Sequence, residues 1–396
     1  MTGNMPTICL VAGEESGDQL GSELMKALNA SLGQGVRYCG VGGERMTALG
    51  LTSFFNMSDV SVMGLSAVLA RLPLIVKRVY QTVDATIAAK PDVLVIIDSP
   101  DFTHNVAKRV RKRAPHIPIV GYVSPSVWAW RPGRAKKMSV YVDELLALLP
   151  FEPGVHKRLG GPPTHYVGHP LSENIKELRP CEGERLPVSS DKKVLLILPG
   201  SRSSEIDRLL GDFGKTVDLI KREVPEIEIV LPAVAHLEDK VREGVSEWQF
   251  QPTIVTGLDA KKAAFRRAHA ALAASGTVSL ELALAGVPMV VAYKVDWFFR
   301  RIKELNRIFK FSSVDSFVLP NIILGSKAIP EFLDEEVQPE LLAEHLKGLL
   351  TESPERQEQL DELGRLEDEM RLPDGYSQSM AAAEVVLQAM ANSKNG

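Results

Sequence analysis

An apolar run that ends on a carboxylate is the first place to look for chemistry in this chain. In Val93-Leu-Val-Ile-Ile-Asp98-Ser-Pro-Asp101-Phe either acid can take a proton from an incoming hydroxyl, and either can cap the helix that the Ser-Pro step opens. Asp98, at the strand end, is the candidate base; Asp101 reads better as the cap. Gly13-Glu14-Glu15-Ser16-Gly17-Asp18 follows another apolar run in the same way. Its glycines let the backbone approach a ligand, and the free amides of a helix start favour anions. The spacing is neither Gly-x-Gly-x-x-Gly nor a Walker loop, so it does not indicate NAD or ATP. A tight turn capped by Ser16 or Asp18 accounts for it equally well.

Two later segments suit a diphosphate. Pro199-Gly200-Ser201-Arg202-Ser203-Ser204-Glu205 sets a guanidinium, whose forked donors stay charged, beside helix-start amides; the structural alternative is a salt bridge from Arg202 to Glu205 or Asp207. Ser275-Gly276-Thr277-Val-Ser-Leu-Glu281 offers hydroxyls and amides to phosphate oxygens, with Glu281 one turn on to accept from the vicinal hydroxyls of a ribose. Pairing of Glu281 with Lys294 or Arg300 is the alternative there. Leu319-Pro320-Asn321 can add an amide to the same pocket, or mark a turn. Tyr122-Val-Ser124-Pro-Ser126-Val-Trp128-Ala-Trp130-Arg131-Pro-Gly-Arg134-Ala-Lys136-Lys137 combines indoles suited to a sugar or acyl chain with hydroxyls and with four cations suited to a phosphate. The eight histidines show no metal spacing.

These segments need a scaffold that places strand ends together. Short apolar runs at 7–12, 36–41, 93–98, 119–123 and 144–149 alternate with helical patterns, and the alternation restarts at 193–198, 228–231, 253–256, 270–274 and 289–293. That is βαβ patterning repeated as two parallel sheets. It predicts an α/β chain of two Rossmann-like domains facing a cleft, with ligands beyond the carboxyl ends of the strands and a helical C-terminal tail. The boundaries fall at 1–171 for the first domain, 172–192 for a polar linker, 193–375 for the second domain and 376–396 for a tail helix. Beyond Pro330 the pattern is helical to the end. The apolar stretch 268–293 is long enough to cross a bilayer, but Glu281 and its glycine turns make it a buried strand, helix and strand.

Composition bounds the function. At 396 residues, 45% hydrophobic and 24% charged, the chain is an ordinary globular protein of about two domains. Its 46 basic and 50 acidic residues leave a net charge of −4, so no overall positive field recruits nucleic acid. Three cysteines form no closed disulfide set and fit a reducing compartment, and the first residues lack the pattern of a signal peptide. Leu65, Val68, Leu69, Leu72, Ile75, Val76 and Val79 follow helical spacing with Arg71, Lys77 and Arg78 among them, and Pro73 breaks or starts a turn. Core packing or contact with an anionic membrane surface explains that stripe; Trp297-Phe-Phe-Arg300-Arg301 is a second membrane candidate.

Taken together the chain resembles the lipid-A-disaccharide synthases, inverting glycosyltransferases of the GT-B type. The likeness spans nearly the whole length, through Ala12-Gly-Glu-Glu-Ser-Gly-Asp18, Gly40-Val-Gly-Gly43, Val62-Met-Gly64, Ile97-Asp-Ser-Pro-Asp-Phe102, Tyr122-Val-Ser-Pro-Ser-Val-Trp-Ala-Trp130, Leu149-Pro-Phe-Glu152, Val167-Gly-His-Pro170, Leu198-Pro-Gly-Ser-Arg202, Ser275-Gly-Thr277 with Glu281, and Leu319-Pro-Asn321. Thr103 stands where the family usually has Asn. The resemblance implies transfer from UDP-2,3-diacylglucosamine to 2,3-diacylglucosamine 1-phosphate, with no cofactor and no metal. It implies Asp98 as base, Gly200, Ser201, Arg202, Ser275, Gly276 and Thr277 on the diphosphate, and Glu281 and Asn321 on the nucleoside. Glu14, Ser16, Asp18, Ser124, Trp128, Arg131 and Arg134 would stand near the sugars and the acceptor. Acylated substrates imply a peripheral protein on the cytoplasmic face of the inner membrane, and the tail would pack on the first domain or on a second copy in a homodimer. Another UDP-sugar enzyme of this architecture, such as a UDP-N-acetylglucosamine 2-epimerase or a peptidoglycan glycosyltransferase, or a noncatalytic nucleotide-sugar binder docked on membranes, are the rival readings.

Overall fold

The computed structural model describes residues 5–33, 35–61, 65–173, 175–295 and 316–395. The segment from Trp297 to Arg301 lies outside them, as do the side chains of Leu65, Val68 and Leu69. The chain divides into two compact units, Met1–His169 with Leu372–Gly396, and Pro170–Arg371.

The first unit is built on seven strands, β1 (Thr7–Ala12), β2 (Arg37–Val41), β3 (Thr52–Ser53), β4 (Val93–Ile97), β5 (Ile119–Tyr122), β6 (Glu144–Ala147) and β7 (Thr164–Tyr166). Their order is β3-β2-β1-β4-β5-β6-β7, parallel at every pairing. Alternation of side chains across β1 divides its residues between two cores. Ile8, Leu10 and Ala12 pack with α1 (Glu15–Leu32) and with the C-terminal helix Gln378–Asn395 through Ala382, Val386 and Met390. Cys9 and Val11 pack on the other face, against α3 (Leu65–Ala89) and α4 (Pro100–Arg113) through Val83, Phe102 and Val106. Each such aliphatic side chain, fully buried, stabilises the unit by roughly 1.5–3 kcal/mol. Three short helices complete the site-bearing end: α2 (Glu44–Ala48), α5 (Gly133–Met138) and α6 (Glu152–Leu159). Helix α3 runs through Pro73 rather than breaking there. A proline removes one helical hydrogen bond, and the turns beyond it are anchored by Val79 and Val83 in the core.

The second unit repeats the plan with β8 (Val194–Leu198), β9 (Glu228–Ala233), β10 (Thr253–Thr256), β11 (Ala270–Ala274), β12 (Met289–Tyr293) and β13 (Glu331–Leu333), ordered β10-β9-β8-β11-β12-β13 and again parallel. The apolar stretch 268–293 is accounted for by buried β11, helix Thr277–Leu284 and buried β12. Strand β13 corrects the expectation of helix alone beyond Pro330; three residues are too few to show a period of two. The polar stretch 172–192 is strapped onto this unit. The Arg185 guanidinium donates to the carbonyls of Phe265, Arg266, Ala285 and Gly286, and Arg266 pairs with Glu184.

In both sheets the strand order reverses at the centre, between β1 and β4 and between β8 and β11. Ligands bind outside the carboxyl ends of the strands at such a reversal.

Candidate active site

At the reversal in the first unit two carboxylates meet. Asp98 leaves β4 with φ 50° and Ser99 follows with φ 42°, two successive left-handed residues that are not glycine. Such backbone costs about 1–3 kcal/mol per residue and persists only where the surroundings impose it. Here the imposing contacts are visible. Asp98 N donates to Tyr122 O at 2.9 Å, and the Thr103 hydroxyl donates to Asp98 O at 2.6 Å. Ser99 Oγ donates to Glu14 Oε1 at 2.9 Å across the gap between the strand ends. Gly13 makes this approach possible: a Cβ there would lie 2.6 Å from the Ser99 Cβ. Burial, and next the Glu14 carboxylate, push the Asp98 carboxyl above its ordinary range, while the Ser99 amide at 2.8 Å and the Ser16 hydroxyl at 3.5 Å pull it down. A half-buried carboxylate with raised proton affinity is suited to accept a hydroxyl proton.

The neighbouring strand end is strained as well. Val123 adopts φ 77°, a genuine outlier for a β-branched residue. The chain then turns inward, and Ser124 Oγ shares a hydrogen bond of 2.9 Å with His156 Nε2. Glu152 beside it is buried, accepting from Leu149 N at 3.1 Å and Trp128 Nε1 at 3.3 Å. Burial raises its carboxyl to about 7 and lowers the His156 imidazole to about 4. Trp130 is left facing solvent, with the Arg131 guanidinium 4.1 Å from its ring centre, and the half-buried Arg134 lies 3.6 Å from Asp101.

The second unit holds a cavity of about 510 Å³ at the carboxyl ends of β8, β9, β10 and β11. That volume suits a ligand of nucleotide size. Gly200, Ser201, Arg202, Ser275, Gly276, Thr277 and Glu281 all line it. Its helix amides are not equally available. Glu205 Oε2 accepts from Ser201 N at 3.0 Å and Arg202 N at 3.2 Å, and its other oxygen pairs with the Arg202 guanidinium at 2.8 Å. A carboxylate thus occupies the amides expected for a diphosphate, and the cation beside it remains 76% exposed. Glu281 is paired with Lys261, a cavity residue the sequence did not single out; Lys294 is tied to Asp212 instead. Val234 and Leu258 present exposed apolar side chains to the same cavity.

Three expected site residues have their polar groups committed elsewhere. Asp18 is buried and its carboxylate accepts from the amides of Gly43, Arg45 and Met46, capping α2. The Ser124 hydroxyl faces His156. Asn321 does not line the cavity: its amide clamps the Ile329 backbone, donating to Ile329 O and accepting from Ile329 N, both at 2.9 Å. Glu14, Ser16 and Asp98 come together, and Arg131 and Arg134 flank the start of α5, where Arg134 N donates to Arg131 O at 2.9 Å. On α3, Leu72, Val76 and Tyr80 are exposed four residues apart and Ile75 is half-buried.

With the geometry in hand, comparison with known proteins is specific. A family model described as lipid-A-disaccharide synthetase matches residues 8–385. A protein named lipid-A-disaccharide synthase from Nitrobacter winogradskyi is 52% identical over 391 residues, 98% of this chain and 96% of its own. Another of that name from Rhodospirillum centenum is 41% identical over 390 residues, 97% and 94% of the two chains. Among solved structures, the UDP-GlcNAc 2-epimerase from Neisseria meningitidis bound to UDP-GlcNAc superposes with a TM-score of 0.60 at 12% identity, covering 98% of this chain and 100% of that one. The glycotransferase of kitacinnamycin gives 0.62 at 15%, covering 97% and 99%. At those identities the structural likeness speaks for the fold, and the fold is of the GT-B kind.

Proposed function

The chain belongs to the lipid-A-disaccharide synthetase family, and from that premise we propose how its residues divide the family's reaction. The reaction joins UDP-2,3-diacylglucosamine to 2,3-diacylglucosamine 1-phosphate and releases UDP and a β-1,6-linked disaccharide. Inversion requires the acceptor hydroxyl and the leaving diphosphate on opposite faces of one anomeric carbon. The first unit supplies the base. Asp98 takes the proton of the acceptor 6-hydroxyl, Glu14 keeps the proton affinity of Asp98 high, and Ser16 lies beside them. The second unit supplies the leaving-group side. Arg202 and the start of helix Thr277–Leu284, with Ser275 and Gly276, neutralise charge that develops on UDP. Glu281, presented by Lys261, accepts from the ribose hydroxyls, and Val234 and Leu258 flank the base.

The observation that carries this reading is the Asp98–Glu14 pair on strained backbone at the strand-order reversal. Asp98→Ala tests it. Turnover should fall by about 10²–10⁴, the usual worth of a general base, while UDP binding measured by calorimetry stays as in the parent. Near-normal turnover removes Asp98 as base.

The acyl chains of both substrates call for contact with a lipid surface. Among the described residues no helix is long and apolar enough to cross a membrane. The exposed Leu72, Val76 and Tyr80 with Arg71 and Lys77 support peripheral contact at the cytoplasmic face of the inner membrane, where nucleotide sugars are at hand. A homodimer through the C-terminal region would use the apolar face that helix Gln378–Asn395 turns to its own first unit, by exchange of that helix between two copies.

A further inference from the structure

Cations on α4 and α5 are not equally partnered. Arg111 is paired with Asp143, and Arg113 with Asp84. Lys108 on α4 and Lys137 on α5 have no ion pair among the described residues, and Arg134 has only the distant, fully exposed Asp101. Yet they are crowded. Burial, and then Arg134, Arg109 and Lys137, lower the proton affinity of the Lys108 amine while Asp101 raises it, and burial, followed by Arg134 and Lys108, holds the His104 imidazole down at about 3. Other contacts fix the cluster in place. The Lys108 amine stands 5.2 Å from the centre of the Tyr141 ring, whose hydroxyl is bonded to His104 Nδ1 at 3.0 Å. Arg109 is held against the Tyr80 ring at 5.1 Å and bonded to Asn105. Like charges gathered on built supports, with one exposed carboxylate to offset them, are relieved by an anion.

We propose that Lys108, Arg134 and Lys137 seat the phosphomonoester of the acceptor sugar. The proposal rests on assigning the acceptor to the first unit. Arg134 stands near the base: its guanidinium lies 3.6 Å from Asp101, whose Cα is at most about 10 Å from that of Asp98, three residues back. The charge of the seat is right, because a phosphomonoester carries about −1.5 to −2 near pH 7 and three acceptor oxygens. The same chemistry describes an anionic lipid headgroup, and the experiment separates the two.

Acceptor carrying its 1-phosphate is compared with the same diacylglucosamine lacking it, as a ratio of kcat/KM, in the parent and in Lys108→Met, Arg134→Gln and the exposed Lys137→Ala. Loss of a charge-assisted contact should shrink that preference by about tenfold per substitution, with the KM for UDP-diacylglucosamine unmoved and Arg134→Lys recovering part of it. An unchanged preference in all three overturns the proposal. So does an unchanged preference joined to lost binding of vesicles containing phosphatidylglycerol, relative to phosphatidylcholine alone, which would assign the cations to lipid. Failure of the acceptor assignment itself reads differently: Asp98→Ala would then keep its turnover.

Discussion

In the first unit the turns after β1 and β4 bring Glu14 to Asp98; in the second, the turns after the equivalent strands β8 and β11 set Arg202 beside Ser275, Gly276 and Thr277. The two sheets share a strand order, and a glycine enters the turns after β1, β8 and β11 where Ser99 and Pro100 follow β4, yet one presents carboxylate and the other cation. The difference lies in which side chain the local backbone consumes. Asp18 and Glu205 are both buried acids that accept from several amides, and each disappears into the scaffold. In the first unit that leaves Glu14 and Asp98 with few donors, and Asp98 with a raised proton affinity. In the second it leaves a guanidinium exposed at the cavity. A repeated fold can therefore present a carboxylate at one strand-order reversal and a cation at the other by changing which acid caps a turn.

The comparison breaks most sharply at Gly13. A methyl there meets Ser99 at 2.6 Å, so Gly13→Ala should force the two strand ends apart and lower kcat by about 10²-fold, the penalty of misplacing a catalytic group by about 1 Å. Turnover close to the parent would mean that the Glu14–Ser99 contact does not position the base. The cation side is gentler. Arg202→Ala should weaken UDP binding about tenfold by calorimetry, the lower range for a charged hydrogen bond because the group is mostly solvated; unchanged affinity would leave Arg202 as a partner of Glu205 and nothing more. The smallest effect concerns Glu152. Its carboxyl is raised in the fold, so the folded state binds more protons than the unfolded one between about 4.5 and about 7, and this group costs stability as pH rises through that window. His156, lowered to about 4, contributes the opposite slope over nearly the same range. In Glu152→Gln the first slope is gone. Its Tm relative to the parent should therefore climb steadily from pH 4.5 to 7, whatever constant offset the substitution adds; a flat difference would show that Glu152 titrates normally.

The sequence disclosed the strand-and-turn plan because buried parallel strands read as unbroken apolar runs, and it disclosed Asp98, Arg202 and Ser275 to Thr277 because each follows such a run directly. It hid β3, β7 and β13, two or three residues long, which show no period. It also hid where Asp18, Ser124 and Asn321 turn. Their partners lie 25 to 28, 32 and 8 residues away, and side-chain type says nothing about a bond of that span. Lys261 was missed for the same reason, being 20 residues from Glu281 with no motif to mark it. The exposed indole of Trp130, rather than that of Trp128, became legible only once Glu152 was seen to accept from Trp128.

In the proposed reaction Asp98 removes the acceptor proton, its proton affinity held high by burial and next by the Glu14 carboxylate. The pH dependence of kcat/KM tests both at once, measured for the parent and for Glu14→Gln, in which the amide oxygen still accepts from Ser99. With the neighbouring negative charge gone, Asp98 should ionise more readily, and the acid limb of the profile should move to lower pH. An acid limb that stays at the same pH in the variant would contradict the account.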